Sequence, residues 1–156
     1  MSRTVPASLL AAWAGDVARP YFAIEFLLTS APLRFWSGYG DRTIGVNVYT
    51  GAGELISISG LEEVNDMSAK ALTISLSGMS GTVISMALQE PYQRRKCRVY
   101  FGDTSVADVV EVFTGSLNKM TIADSADSGT VTVLVDSKMV EADRSSNRRY
   151  TSESQK

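Results

Sequence analysis

Residues 70–102 read KALTISLSGMSGTVISMALQEPYQRRKCRVYFG, and the periodicities within them decide the fold class. In the first third, Leu72, Ile74 and Leu76 alternate with Ala71, Thr73 and Ser75, the period-2 pattern of a strand with one buried face. The middle places Val83, Met86 and Ala87 on one helical stripe, flanked by Ile84 and Leu88. Ser80 supplies an N-cap and Pro91 a stop at about Glu90, so a short crossing helix is expected there. The last third returns as a strand, with Cys97, Val99 and Phe101 on one face and Lys96, Arg98 and Tyr100 on the other. These residues build a scaffold. None of them forms a reactive set.

Toward the N-terminus, Pro6 to Val17 predicts a helix with Leu9, Leu10, Trp13 and Val17 along one stripe. Pro20 then opens a strand over Tyr21–Thr29, expected to be half-buried, with Phe22, Ile24, Phe26 and Leu28 inward and Glu25 on the other face. In LRFWSGYGDRTIG, the glycines at 38, 40 and 45 mark a tight hairpin or bulged corner. Their spacing, with no helix following, is not a dinucleotide fingerprint. Val46–Tyr49 and Glu54–Ser59 predict a further hairpin across Thr50–Gly53.

Toward the C-terminus, alternation predicts strands at Val109–Gly115, Leu117–Asp124 and Gly129–Asp136, the last two forming a hairpin across ADSADSGT. From Arg144 the composition turns basic and polar. The expected organisation is one β-rich domain over residues 1–143, then an arm over 144–156. The fold class is mainly β (α+β): an antiparallel, β-barrel-like domain with an N-terminal helix and the one crossing helix.

Composition narrows the chemistry. The chain has 156 residues, a formal charge of −2 and no histidine, which removes the commonest general base and the Ser–His and Cys–His pairs. Cys97 is the only cysteine, so no disulfide or Cys-ligated metal cluster forms within one chain. On an alternating strand it suits a small core hydrophobe, and a reducing cytoplasm suits the chain. No apolar run reaches the ~18 residues that span a bilayer. The charge gives no global attraction to nucleic acid.

A cell-wall hydrolase would need converging carboxylates, and Asp41, Glu62, Glu63 and Asp66 are the only candidates. Neighbouring acids on a strand point to opposite faces, so Glu62 and Glu63 make a poor pair. Asp124 and Asp127 lack calcium-loop spacing. The chain is expected to have no catalytic residues, no cofactor and no metal. Its candidate functional residues are interface residues. Trp36 and Tyr39 sit on the glycine-rich corner, where Trp36 either anchors a partner or plugs the core. Arg148, Arg149 and Tyr150 lie on the basic arm, suited to an acidic neighbouring surface.

Several phrases in order then resemble a known family: LRFWSGYGD, VYTGAGELISISGLEEV, LTISLSGMSGTVISMALQEPYQRRKCRVYFGD, VFTGSLNKMTIAD and the closing RRYTSESQ. Together, over roughly residues 20–155, they look like a minor tail or baseplate-hub protein of long-tailed bacteriophages. That group includes the minor tail protein L type of lambda-like phages and the hub protein of gene transfer agents. The resemblance implies a β-barrel-like hub domain assembled into a ring, trimeric in preference to hexameric. The ring would join a distal tail or tube protein to a central hub or spike, around a channel for tape measure protein and DNA. It implies assembly in the host cytoplasm and residence at the virion tail tip. Lambda-type relatives carry a cysteine-rich iron–sulfur domain; with Cys97 alone, that cofactor is not carried over. The alternative from another class is a receptor- or sugar-binding β module, for which Trp36–Gly40 is the one candidate platform.

Overall fold

Short alternating runs separated by glycine and proline turns favour strands over helices throughout most of the chain. In the computed structural model, the described residues are 4–51, 56–59, 71–77, 89, 91–125 and 128–137. The helix α1 (Ala7–Trp13) precedes β1 (Pro20–Leu27), β2 (Pro32–Trp36), β3 (Asp41–Ile44), β4 (Asn47–Gly51) and β5 (Ile56–Ser59). There follow β6 (Ala71–Ser77), β7 (Lys96–Asp103), β8 (Val109–Ser125) and β9 (Ser128–Ser137). Among the described residues, the nine strands join one sheet in the order β3-β4-β2-β1-β7-β8-β9-β6-β5. Neighbours are antiparallel except β2 and β4, which run parallel with Trp36 opposite Gly51.

The mainly β expectation holds, but the sheet is open and mixed where a barrel-like closure was expected. Its ends, β3 and β5, do not pair with each other. The physical reason is that apolar side chains occupy both faces. Ile24, Phe26, Cys97, Val99, Leu72, Ile74, Val133 and Val135 form the larger cluster on one face. Tyr21, Ala23, Trp36, Ile44 and Tyr49 form a second cluster. Because alternate residues of a strand point to opposite faces, Ile24 and Ala23 place these clusters on opposite sides of β1. A barrel turns one face of every strand toward a single interior; this sheet serves two.

The same arrangement corrects β1, expected to be half-buried. Its burial is nearly continuous, and Glu25 is only 4% exposed. The strands at 71–77 and 96–103 form as expected, with Leu72, Ile74, Leu76, Cys97 and Val99 buried. They are not neighbours, since β8 and β9 lie between them.

The hairpin expected over Val46–Ser59 does not form. Instead β4 turns back on β3, while β5 pairs with β6 at the far end of the sheet. Gly45 makes that turn with φ +62, at the first of two loop positions, where glycine carries no steric cost. The expected break near Gly115 is also absent, and β8 runs unbroken from Val109 to Ser125. A side chain at Gly115 would sit 2.3 Å from the Asp136 carbonyl oxygen. Its absence lets β8 pair with β7 and then with β9.

The N-terminal helix is shorter than its stripe suggests. It ends at Trp13, leaving Val17 67% exposed, while Leu9 is fully buried. Trp13 packs its ring 5.3 Å from Phe101, which lies 4.9 Å from Phe22. No helix among the described residues is long and apolar enough to cross a membrane. The crossing helix expected to end near Glu90 lies outside the described residues except for Gln89, which is helical. Glu62, Glu63, Asp66 and the arm at 144–156 lie outside them entirely.

Candidate functional site

The glycine-rich corner is built around the Trp36 indole. A Cβ at Gly38 would fall 2.0 Å from the Trp36 ring, so the ring packs against that backbone only because residue 38 is glycine. Indole Nε1 donates to the Gly40 carbonyl at 2.8 Å, and the Gly51 N–H donates to the same oxygen at 2.8 Å. Tyr21 meets Trp36 edge-on, with centroids 5.6 Å apart and planes at 83°.

Arg42, on β3, locks the corner to the far side of β1. Its guanidinium stands 4.7 Å from the Tyr21 ring centre and 5.5 Å from that of Trp36. Its Nη2 donates to the carbonyls of Val106 at 3.2 Å and Thr104 at 3.3 Å. The receiving turn is itself pinned by Asp103, whose carboxylate accepts from Ser105 Oγ at 2.6 Å, the Ser105 N–H at 2.9 Å and the Arg19 N–H at 2.7 Å. The Ser105 hydrogen bonds, foremost, hold the Asp103 carboxyl below its ordinary range.

Beside this corner a charged row crosses the same face. Glu25 lies opposite Arg34 on one side and Arg98 on the other. Arg34 Nε meets Glu25 Oε1 at 2.7 Å, and Arg98 stands 3.9 Å from Oε2. Burial, and then the Glu25 charge, pushes the Tyr49 hydroxyl up to about 12. Burial also raises Tyr100. Arg98 is held further toward its charged form by its hydrogen bond to Tyr100. The carboxylate is paired on both sides and the tyrosines are kept protonated, which makes the row a clamp across the sheet.

Cys97 faces the other cluster and is fully buried. Burial, then Glu25, pushes its thiol up to about 12. The thiolate is the nucleophile, so iodoacetamide at pH 8 should modify the folded protein at least about a hundredfold more slowly than the denatured chain. Equal rates in both states, followed by mass spectrometry, would contradict the assigned burial. Raised values in the folded state also fix a sign. The unfolded chain releases these protons from about pH 9 to 10, while the folded chain holds them to about 12. Stability is therefore full below about pH 9 and falls as pH rises through that window.

The expected interface residues separate. Trp36 is 9% exposed and belongs to the second cluster, whereas Tyr39, three residues on, is 77% exposed. Arg148, Arg149 and Tyr150 lie outside the described residues. Asp41 is exposed at the start of edge strand β3. Among the described residues, no group of three or more histidines, cysteines or acids could hold a metal ion. Sequence reasoning missed the Glu25 clamp and the Arg42 lock. PYFAIEFLL did carry a signal for the first: a near-continuous apolar run marks a strand covered on both faces, so its one acid must be paired.

No family model and no curated protein matches the chain. A solved structure does. Its description is "Virion of native gene transfer agent (GTA) particle", and one of its chains superposes with a TM-score of 0.67 at 15% identity. The match covers 93% of this chain and 49% of that one, so the chain spans about half the length of its structural neighbour. At that identity the likeness is one of fold.

Proposed function

We propose that the chain is a structural subunit of a tailed virion, placed in the tail-tip or baseplate hub and assembled with copies of itself into a ring. The observation that carries this reading is the match of 93% of the chain to a gene transfer agent virion chain. The ring, a trimer in preference to a hexamer, joins a distal tail or tube protein to a central hub or spike, with tape measure protein in its channel. The subunit turns over no substrate. Its ionisable side chains at the corner and the row are spent on holding the sheet together.

A sugar- or receptor-binding module would present an aromatic platform. Here Trp36 is buried, and of the two corner aromatics only Tyr39 stands open. Tyr39 is better suited as a single anchor against a neighbouring subunit, since exposed tyrosines bring large contact area at low entropic cost. Tyr39→Ala should leave the melting temperature within about 1 °C and weaken self-association by about 30-fold, the loss of one interface hot spot. Analytical ultracentrifugation of the purified chain tests both the ring and this residue. A concentration-independent monomer would overturn the ring, and unchanged association in the variant would remove Tyr39 from the interface.

A further inference from the structure

The two ends of β7 carry opposite exposed charge. At its start, Arg94, Arg95 and Lys96 follow one another in the sequence. The turn that presents them is tied to the neighbouring strand β8. The Arg94 N–H donates to the Leu117 carbonyl at 2.8 Å, and the Leu117 N–H donates to the Arg95 carbonyl at 2.8 Å. Within the turn, the Arg95 N–H donates to the Tyr92 carbonyl at 3.1 Å. Arg94 takes φ +63, and among the described residues no other residue except glycine has a positive φ. An L side chain is strained in that conformation and glycine is not, so the arginine stands there against the preference of its backbone.

These cations differ from the arginines of the sheet. Arg34 and Arg98 pair with Glu25, and Arg42 lies over two aromatic rings. Arg94 and Lys96 are exposed, Arg95 is half-buried, and none of the three enters an ion pair among the described residues. At the far end of β7, about 23 Å away along a strand of that length, the exposed charges are mostly negative. Asp108 lies in the turn that follows Asp103, and Asp41 adjoins Arg42, which donates to the Thr104 and Val106 carbonyls of that turn. Asp16 precedes Arg19, whose N–H donates to Asp103. Asp16, Asp41 and Asp108 are all exposed, against one exposed cation there, Arg19. Tyr39, two residues before Asp41, is 77% exposed and offers its ring to a guanidinium.

We infer that the Arg94–Lys96 turn of one copy docks on the Asp16, Asp41 and Asp108 surface of a second copy. Tyr39 of the receiving copy then stacks beneath the incoming guanidinium. The inference rests on the ring reading above and names the two surfaces that meet at its subunit boundary. Like ends of two copies repel, so unlike ends meet, and the contact repeated head to tail from copy to copy closes a ring. The hydrogen bonds to Leu117 hold the basic turn in place before the copies meet, which lowers the entropy lost on docking.

Sedimentation of the full chain in about 50 mM salt, where exposed charges are least screened, tests this by exchanging the charges. Arg94→Glu with Lys96→Glu should weaken self-association by at least about 30-fold, and so should Asp16→Lys with Asp41→Lys. All four substitutions in one chain swap the charges of the two ends at unchanged net charge, and should return association to within about threefold of native. Arg94→Gly separates docking from folding. It relieves the strained backbone, so it should melt no lower than the native chain while associating about tenfold more weakly. Native-strength association in either double variant or in Arg94→Gly would overturn the inference and leave a ring built on other surfaces. A folded fourfold variant that stays monomeric would overturn it too, by giving the basic turn a partner other than this acidic surface. A native chain that is monomeric at every concentration would remove the ring reading, and this inference with it.

Discussion

Trp36→Ala is expected to cost about 3–5 kcal/mol of folding stability, the range for truncating a large buried aromatic. The side chain is 9% exposed, stacks edge-on against Tyr21, and donates to the Gly40 carbonyl that also receives the Gly51 N–H. Removing it leaves a void beside Tyr21, Gly38 and Arg42, and Arg42 stays tied to the Thr104 and Val106 carbonyls and over the Tyr21 ring, so the site collapses only in part. Trp36→Phe keeps an aromatic beside Tyr21 and loses the indole hydrogen bond, so it should recover all but about 1–2 kcal/mol. Urea denaturation of both variants measures this. A loss under about 1 kcal/mol for Trp36→Ala would mean that the corner is not packed as described.

The second large effect concerns Glu25. Replacing it with glutamine removes the charge that pairs Arg34 and Arg98, and Arg34 then keeps a side chain 22% exposed without its anion. Breaking one partner of a buried pair costs about 3–5 kcal/mol, whereas replacing both with apolar side chains is often close to neutral. Glu25→Gln should therefore unfold at markedly lower urea, and Glu25→Leu with Arg34→Met should return most of the loss. The same substitution bears on Tyr49, whose hydroxyl is raised partly by the Glu25 charge. Its titration, followed by ultraviolet absorbance, should begin at lower pH in Glu25→Gln. If the double variant is as unstable as the single one, the row contributes through packing and the charge pairing is secondary.

Much of the fold was written in local periodicity. The alternation of Leu72, Ile74 and Leu76, and of Val131, Val133 and Val135, placed β6 and β9 correctly, because a half-buried strand needs little more than alternate apolar residues. What local pattern does not encode is which strands meet. The parallel pairing of β2 with β4 goes with Trp36 turning over Gly38, Gly45 returns β4 along β3, and β5 joins β6 at the far end of the sheet. The expected hairpin at Val46–Ser59 failed for that reason. At the corner, the sequence marked Trp36 and Tyr39 alike as aromatics among glycines. Only the packing separates a buried plug from an exposed ring, because that outcome rests on Tyr21 of β1 and on the direction Arg42 takes across the sheet. Arg42 itself looked like one more surface charge, and its carbonyl partners lie 62 and 64 residues away.

The central proposal is that this chain is a sheet-built structural subunit of a virion tail tip, completed by copies of itself. Electron-microscopic reconstruction of the tail tip in purified particles tests it most directly. The hub reading predicts a closed ring of this fold about the tail axis, with Tyr39 at a subunit boundary. A tail tip with no density for the chain, or the chain sitting as an isolated copy off the axis, would contradict it.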